Sequence, residues 1–430
     1  MKPTRIALFV LVPAITLAAG LLPKVGLTVP VLLPAQGAAP DAASNAPAMS
    51  GNGAWVAFST AASNLVPDDP DGVPDIAVVG LRKGQVRCAS VSTEGVKGNA
   101  ASADPALDKA GRRVAFSSAA TNLVDADTNG EPDVFVRDLV KGITVRASVA
   151  SDGTEADGAS EKPSISANGR LVVFASHATN LVANDMNGCE DIFLHDMLTG
   201  ETKRISRGLL GVDPDGDSSL PRISANGRYV AFLSMARNLV FLADFPTRDA
   251  FLVDLKTGVI EMISVGPNGV PSNAASLSLA ISGNGRRVVF ASMGSNLVSD
   301  LGQFAGQDIF LRDRKKHTTT LVSAGPGGVA ANDYSEEPEL SGNGRWVAFT
   351  SLASNLVADD TNGRNDVFRR KVKTGETARI SVSTQGEQGD SNSGQVSLTR
   401  SGRYLAFATR STNLFDSLTS GEWLIALRRP

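Results

Sequence analysis

Polar and apolar residues alternate along the chain in short runs that come back at a fixed interval. Between residues 105 and 149 four such runs stand out: PALD (105 to 108), RRVAFSS (112 to 118), DVFVRDL (133 to 139) and TVRASV (144 to 149). Each alternates or is rich in β-branched and aromatic types, and each is bounded by Gly, Asn or Asp, so each predicts a strand. We label them A, B, C and D. The unit recurs with the core S-x-N-G-R-x-V-A-F-x-S, then N-L-V, a polar loop and D-[VI]-F-x-x-D. Its marker glycines are Gly53, Gly111, Gly169, Gly227, Gly285, Gly344 and Gly402, at spacings of 58, 58, 58, 58, 59 and 58. Such regularity means one supersecondary unit copied seven times.

Seven units of four antiparallel strands predict an all-β, seven-bladed β-propeller. Asn-Gly in five of the A-to-B turns (Asn52, Asn168, Asn226, Asn284, Asn343) supplies the positive φ angles of a tight hairpin. Phe58, Phe116, Phe174, Phe232, Phe290, Phe349 and Phe407 hold one position in every B strand and read as core between blades. A ring of blades must close, or it exposes an unpaired edge. The chain ends at WLIALRRP, directly after a C strand, so blade seven lacks a D strand of its own. In the full units a second glycine precedes the marker by 16 residues (Gly95, Gly153, Gly211, Gly269, Gly328, Gly386), and Gly37 stands 16 before Gly53. VPVLLPAQG (29 to 37) therefore falls in the register of a D strand and is expected to complete blade seven from the N-terminus.

The N-terminus itself reads MKPTR followed by IALFVLVPAITLAAGLL, a short basic segment and an apolar run with small residues near Gly20. This predicts an export signal, with an uncleaved anchor as the alternative, and a periplasmic or extracellular address. The expected layout is a signal peptide over 1–24, the closing strand and lead-in to the first inner strand over 25–48, and the propeller over 49–430. No later stretch is long enough to span a bilayer. Cys88 and Cys189 sit at non-equivalent places in the repeat, so no disulfide is expected and the core must supply the stability.

Basic and acidic residues number 41 and 44, giving a net charge of -3. Spread along the whole chain, they predict no basic patch and no nucleic-acid partner.

Candidate chemistry lies in the loop from B to C. Four copies keep D-x-[ND]-G-x-x-D: Asp69, Asp71, Asp75; Asp127, Asn129, Asp133; Asp185, Asn187, Asp191; and Asp360, Asn362, Asp366, with Asp125 added in the second. Alternate oxygens on a loop turned by Gly suit calcium. The same residues also make good turns, because Asp and Asn bond their own backbone and Asn-Gly reverses the chain. Units four, five and seven abandon the acids without losing the blade, so both readings stay open. An Asn before Leu recurs in all seven units, from Asn64 to Asn413, and predicts a buried amide capping the loop. His177, His195 and His317 lie at non-equivalent positions, expected at the surface and not as a metal cluster. Trp55 and Trp346 share a B-strand position and read as packing.

The S-x-N-G-R-x-V-A-F core resembles the WD40-like repeat of TolB-type propellers, found also in the propeller domains of prolyl-oligopeptidase-like peptidases. The likeness covers residues 38 to 430. TolB carries an α/β domain before its propeller and docks on a peptidoglycan-associated lipoprotein; no such domain precedes the repeat here. The peptidases carry a hydrolase domain with a Gly-x-Ser-x-Gly elbow, which has no counterpart after blade seven. The sialidase mark S-x-D-x-G-x-x-W has a different Ser-to-Gly spacing. The resemblance implies blade type, and function must come from a site.

Two functions compete. One is a monomeric, non-catalytic exported scaffold that binds a protein or cell-envelope partner. The other is a hydrolase or lyase working at the mouth of the central channel. A strands such as SISANG look small and uncharged, which leans to the scaffold.

Overall fold

The computed structural model describes residues 24–31, 40–66, 69, 71–241, 247–299, 306–415 and 421–430. The apolar run of the expected signal lies outside them. Seven four-stranded antiparallel sheets form, each ordered A-B-C-D. In blade two the strands are Ser102–Leu107, Arg113–Ser118, Asp133–Asp138 and Ile143–Arg146, so A begins three residues before the run that announced it. The A strands touch one another in sequence around the axis, the last (Ser393–Leu398) against the first (Ser44–Met49).

The faces between blades are apolar. All seven B-strand phenylalanines are buried, and in blades two to six each stacks on a C-strand Phe with ring centroids 5.8 to 6.0 Å apart. Ala77 and Ala426 stand opposite Phe58 and Phe407 in blades one and seven. Two hoops of backbone hydrogen bonds tie the ring. On the turn side they run Asn52 to Lys109, Lys109 to Ala167, Ala167 to Ala225, Asn226 to Gly283, Gly283 to Gly342, Asn343 to Arg400 and Arg400 to Gly51. On the loop side the first N–H of each A strand donates to the carbonyl just before strand C of the preceding blade, from Ser44 to Trp423 around to Ser393 to Asn365.

Closure comes from the N-terminus. Thr28–Pro30 pairs with the last strand, Leu424–Arg428, in the register Thr28 to Arg428, Val29 to Leu427 and Pro30 to Ala426. The expected strand, 29 to 37, is thus realised at its start, and residues 32–39 lie outside those described. Thr28 matches Thr144, Thr202, Thr319 and Thr377: each hydroxyl donates to a carbonyl of the preceding connection, for Thr28 that of Val382 at 2.7 Å. Pro30 is tolerated because the outermost strand has no partner for the missing N–H.

The A-to-B turn differs from the two-residue form. Only the marker glycine has positive φ, while the Asn side chain holds the turn, as Asn168 Oδ1 does by accepting from Arg170 N at 3.1 Å. The glycine is also required sterically. A Cβ on Gly285, at φ 70°, would lie 2.1 Å from the Tyr229 ring of the preceding blade. Gly285→Ala is therefore expected to cost about 2–3 kcal/mol from left-handed strain and overpacking, read as a lowered urea midpoint; an unchanged midpoint would contradict the packing.

Candidate functional site

In all four loops that keep their acids, a cation from the chain itself sits among them. Arg146, the last residue of the blade-two D strand, places Nη1 2.9 Å from Asp133 Oδ2 and 3.6 Å from Asp127 Oδ1, and bonds Glu155 as well. Arg204 in blade three reaches Asp185 at 2.8 Å, Asp191 at 3.1 Å and Asp213. Arg379 in blade six reaches Asp360 at 3.2 Å, Asp366 at 3.7 Å and Gln388 Oε1 at 2.9 Å. Blade one has Cys88 where these arginines stand, and Lys97 replaces them, 2.6 Å from Asp71 and 2.9 Å from Asp75 and also bonded to Asp69.

The sister blades make the dependence plain. At the Arg146 position blades four and five carry Met262 and Leu321, and at the Glu155 position Pro271 and Ala330. Those are two of the loops that abandon the acids. The first acid of the loop and the internal cation come and go together, as expected when an unpaired buried charge costs several kcal/mol, while the Asp that opens strand C stays in blades four and five as Asp249 and Asp308.

The remaining ligand candidates follow suit. Asn129, Asn187 and Asn362 turn their oxygens to their own backbone, accepting from Glu131, Cys189 and Arg364 N–H groups at 2.9 to 3.1 Å. Their amide hydrogens point at Asp133, Asp191 and Asp366, at 3.2, 2.9 and 2.9 Å. Ala126 and Asp359 adopt positive φ and aim their carbonyls at Nη2 of Arg146 and Arg379, at 3.0 and 3.2 Å. Asp125 is exposed and makes no ion pair among the described residues. Asp127, Asp133 and Glu155 do bring three carboxylate oxygens within 4.8 Å of one another, and Arg146 occupies that cluster.

The first Asp of strand C has a second task. In six blades it accepts from a buried Ser of the D-to-A connection, as Asp249 does from Ser264 at 2.7 Å, whose hydroxyl in turn takes the next N–H of strand C. Burial pushes Asp249 and Asp308, which have no guanidinium, from 3.8 up to about 6. The native state then holds protons between about pH 4 and 6 that the unfolded chain has released. Stability is expected to rise as pH falls from 7.5 to 5 and to be lost as these carboxyls ionise. Asp249→Asn should flatten that profile in urea titrations; an unaltered slope would refute the assignment.

The amides from Asn122 to Asn413 cap as expected, each accepting from and donating to the connection that leads into its own blade, yet they are half-buried or exposed rather than buried. His195 corrects the surface expectation. It is buried in strand C with Nδ1 2.8 Å from Thr202 Oγ1, and burial pushes its pKa down. Trp55 and Trp346 pack against the Gly111 and Gly402 turns, with Arg87 and Arg369 over their rings.

The channel is polar where the loops gather and apolar towards the turns. Each A strand carries a bulge, and in six blades the bulged residue has φ of 50 to 55°: Ala46, Asp104, Lys162, Leu220, Glu337 and Gln395. Their polar groups interlock across blades. Lys162 Nζ lies 2.9 Å from Asp104, Glu337 accepts from Gln395 N at 2.7 Å, and Gln395 Oε1 accepts from Ala46 N at 2.8 Å. Two residues further in stand Arg222 and Glu339, and burial pushes the Glu339 carboxyl up to about 7 against the pull of Arg222. The A strands of blades two, three, four and six thus carry charge, contrary to the small, uncharged reading, which began past the bulge; those of blades one, five and seven are uncharged. Beyond them Met49, Leu107, Ile165, Ile223, Ile281, Leu340 and Leu398 form an apolar ring over a cavity of about 170 Å³.

Around the loop-side mouth the rim is uneven. Met235 (52% exposed), Met293 (46%), Leu352 (37%) and Tyr334 (50%) make an apolar arc on blades four to six, beside Glu336 and Glu337. His177, Glu161 and Glu190 face it from blade three, and burial pushes Glu190 up. No motif marked this arc, since Met235, Met293 and Leu352 are single residues 58 and 59 apart and Tyr334 stands alone in another connection.

No protein-family profile and no curated protein matches the sequence. Solved structures share the fold. The β-propeller domain of the Trilobed protease from Pyrococcus furiosus aligns at TM-score 0.53 and 12% identity, over 86% of this chain and 90% of that one. Pyrococcus horikoshii acylaminoacyl peptidase aligns at TM-score 0.51 and 12% identity, over 85% of this chain and 49% of its own. TolB from Acinetobacter baumannii aligns at TM-score 0.42 and 14% identity, over 76% of this chain and 66% of its own. The chain is a seven-bladed β-propeller by likeness as by topology. At such identity the likeness speaks for the fold alone.

Proposed function

We propose that the chain is an exported, non-catalytic propeller scaffold that holds a protein or cell-envelope partner on its loop-bearing face. The carrying observation is the apolar arc of Met235, Met293, Leu352 and Tyr334 beside Glu336 and Glu337. Exposed large apolar side chains rimmed by charge favour a docked partner. The chemistry fits an apolar anchor flanked by Lys or Arg. Two hydrogen-bonded hoops and internal cations would keep that face rigid, lowering the ordering cost of binding. In this reading the acidic loops are structural, and calcium would have to displace a resident guanidinium or ammonium.

The test compares Met293→Asp with Leu352→Asp, made together, against Arg112→Glu on the opposite face. Capture of a partner from envelope extracts should be lost with the first and kept with the second. Equal capture by both would refute the arc. An enzyme at the channel is the second reading, favoured by Glu339, whose carboxyl near neutrality beside Arg222 suits proton transfer. Turnover of any ester or glycoside that Glu339→Gln abolishes would replace the scaffold with that reading.

A further inference from the structure

Charges spread evenly along the sequence are not spread evenly in space. The A-to-B and C-to-D turns all fall on one side of the disc, since B runs back from the first turn and C forward to the second. These turns are residues 50–54, 81–84, 108–112, 139–142, 166–170, 197–201, 224–228, 255–259, 282–286, 314–317, 341–345, 372–376 and 399–403. Together they hold 16 Lys and Arg against three acids, Asp108, Glu201 and Glu376. Taking that excess of 13 from a net charge of -3 leaves -16 for the rest of the chain. Some of these cations are spent on internal pairs, such as Arg170 with Asp196 and Arg228 with Asp254. Lys83, Lys109, Arg112, Lys316, Lys373 and Arg400 are exposed, in five different blades, and make no ion pair among the described residues.

Two further observations lie on the same side. Trp55, Tyr229 and Trp346 open their B strands there, half-buried beneath Arg and Lys side chains, with cations 4.1 to 5.8 Å from the ring centres. Aromatic residues with an apolar body and a polar tip suit a headgroup region. The chain also enters the disc there. Gly26 N–H donates to Arg429 O beside exposed Lys24 and Val25, directly after the apolar run of residues 6 to 22.

We infer that the turn face lies flat on an anionic phospholipid surface. Basic residues spread over a whole face, with aromatics at the same level, match a bilayer rather than the grooves of a duplex. The acidic loop face then points away from the lipid, which leaves the apolar arc free. Electrostatic binding of this kind falls within a Debye length and with added salt.

The test is sedimentation of the full chain with vesicles of phosphatidylcholine alone or with about one third phosphatidylglycerol. Any binding by the apolar run is common to both, so the difference reports the face. Retention on the anionic vesicles should exceed that on neutral ones and vanish at roughly 0.5 M salt. Lys83→Glu, Lys109→Glu, Lys316→Glu and Arg400→Glu together should weaken the anionic component at least about a hundredfold, at about fivefold per cation. The loop-side set Arg207→Glu, Arg237→Glu, Arg364→Glu and Arg410→Glu, with the same charge change, should not. Equal retention on both vesicles, equal loss in both sets, or release from vesicles by duplex DNA at equal phosphate would overturn the inference, the last assigning the face to nucleic acid.

Discussion

Arg204→Met is expected to lower stability by about 3–5 kcal/mol, although methionine is what blade four carries at that place. The substitution leaves Asp185, Asp191 and Asp213 facing one another without their cation; Asp185 and Asp191 are buried and Asp213 half-buried. Asp185 is already pushed up to about 6, chiefly by burial, with the guanidinium opposing. Losing that opposition makes ionisation of all three at neutral pH costlier still. Blade four avoids the problem with Met262, Ala243 and Pro271 at the three corresponding places. Giving blade three the whole set, Arg204→Met with Asp185→Ala and Asp213→Pro, should therefore recover most of the loss. Urea titrations of the single and triple variants measure the difference, and a triple variant no better than the single would show that cation and acids are not one unit.

The second large effect is expected at the seam. Val29 is the middle residue of the closing strand and packs with the cluster that joins blade seven to blade one, including Ala406, Ile425, Val56 and Phe58. Val29→Asp sets a carboxylate against that cluster, at about 2–4 kcal/mol, and loosens the strand that pairs the edge of Leu424–Arg428. In a ring every blade depends on both neighbours. The expected result is a broadened transition as well as a lower midpoint, because blades one and seven part before the others. A sharp transition at the native midpoint would mean that closure does not rest on this strand.

Much of this was legible in the sequence because the physics repeats. The marker glycines, the B-strand phenylalanines and the 16-residue offset of Gly37 specified blade number, hairpins and closing strand before any coordinate. Three things were hidden, each for its own reason. The charged half of the A strands in blades two, three and six escaped because the bulge at Asp104, Lys162 and Glu337 breaks the alternation that reveals a strand. His195 was misread because strand C lies between two partners, so even its polar residues are covered. The partners of the acids were missed because Arg146, Arg204 and Arg379 lie 13 residues beyond Asp133, Asp191 and Asp366, on another strand. Reading the D-strand ends of all the units beside their loops would have found them. The two-sided charge was invisible for a related reason: a 58-residue period lays opposite charges side by side in sequence and on opposite faces in space.

Whether the acidic loops are filled by the chain's own cations is best decided by melting the native protein and Arg204→Met, each in millimolar calcium and in chelator. The native midpoint should be the same in both solutions, and that of Arg204→Met should rise with calcium, because only there are the carboxylates without a cation. A native midpoint that rises by several degrees with calcium and falls with chelator would contradict the account.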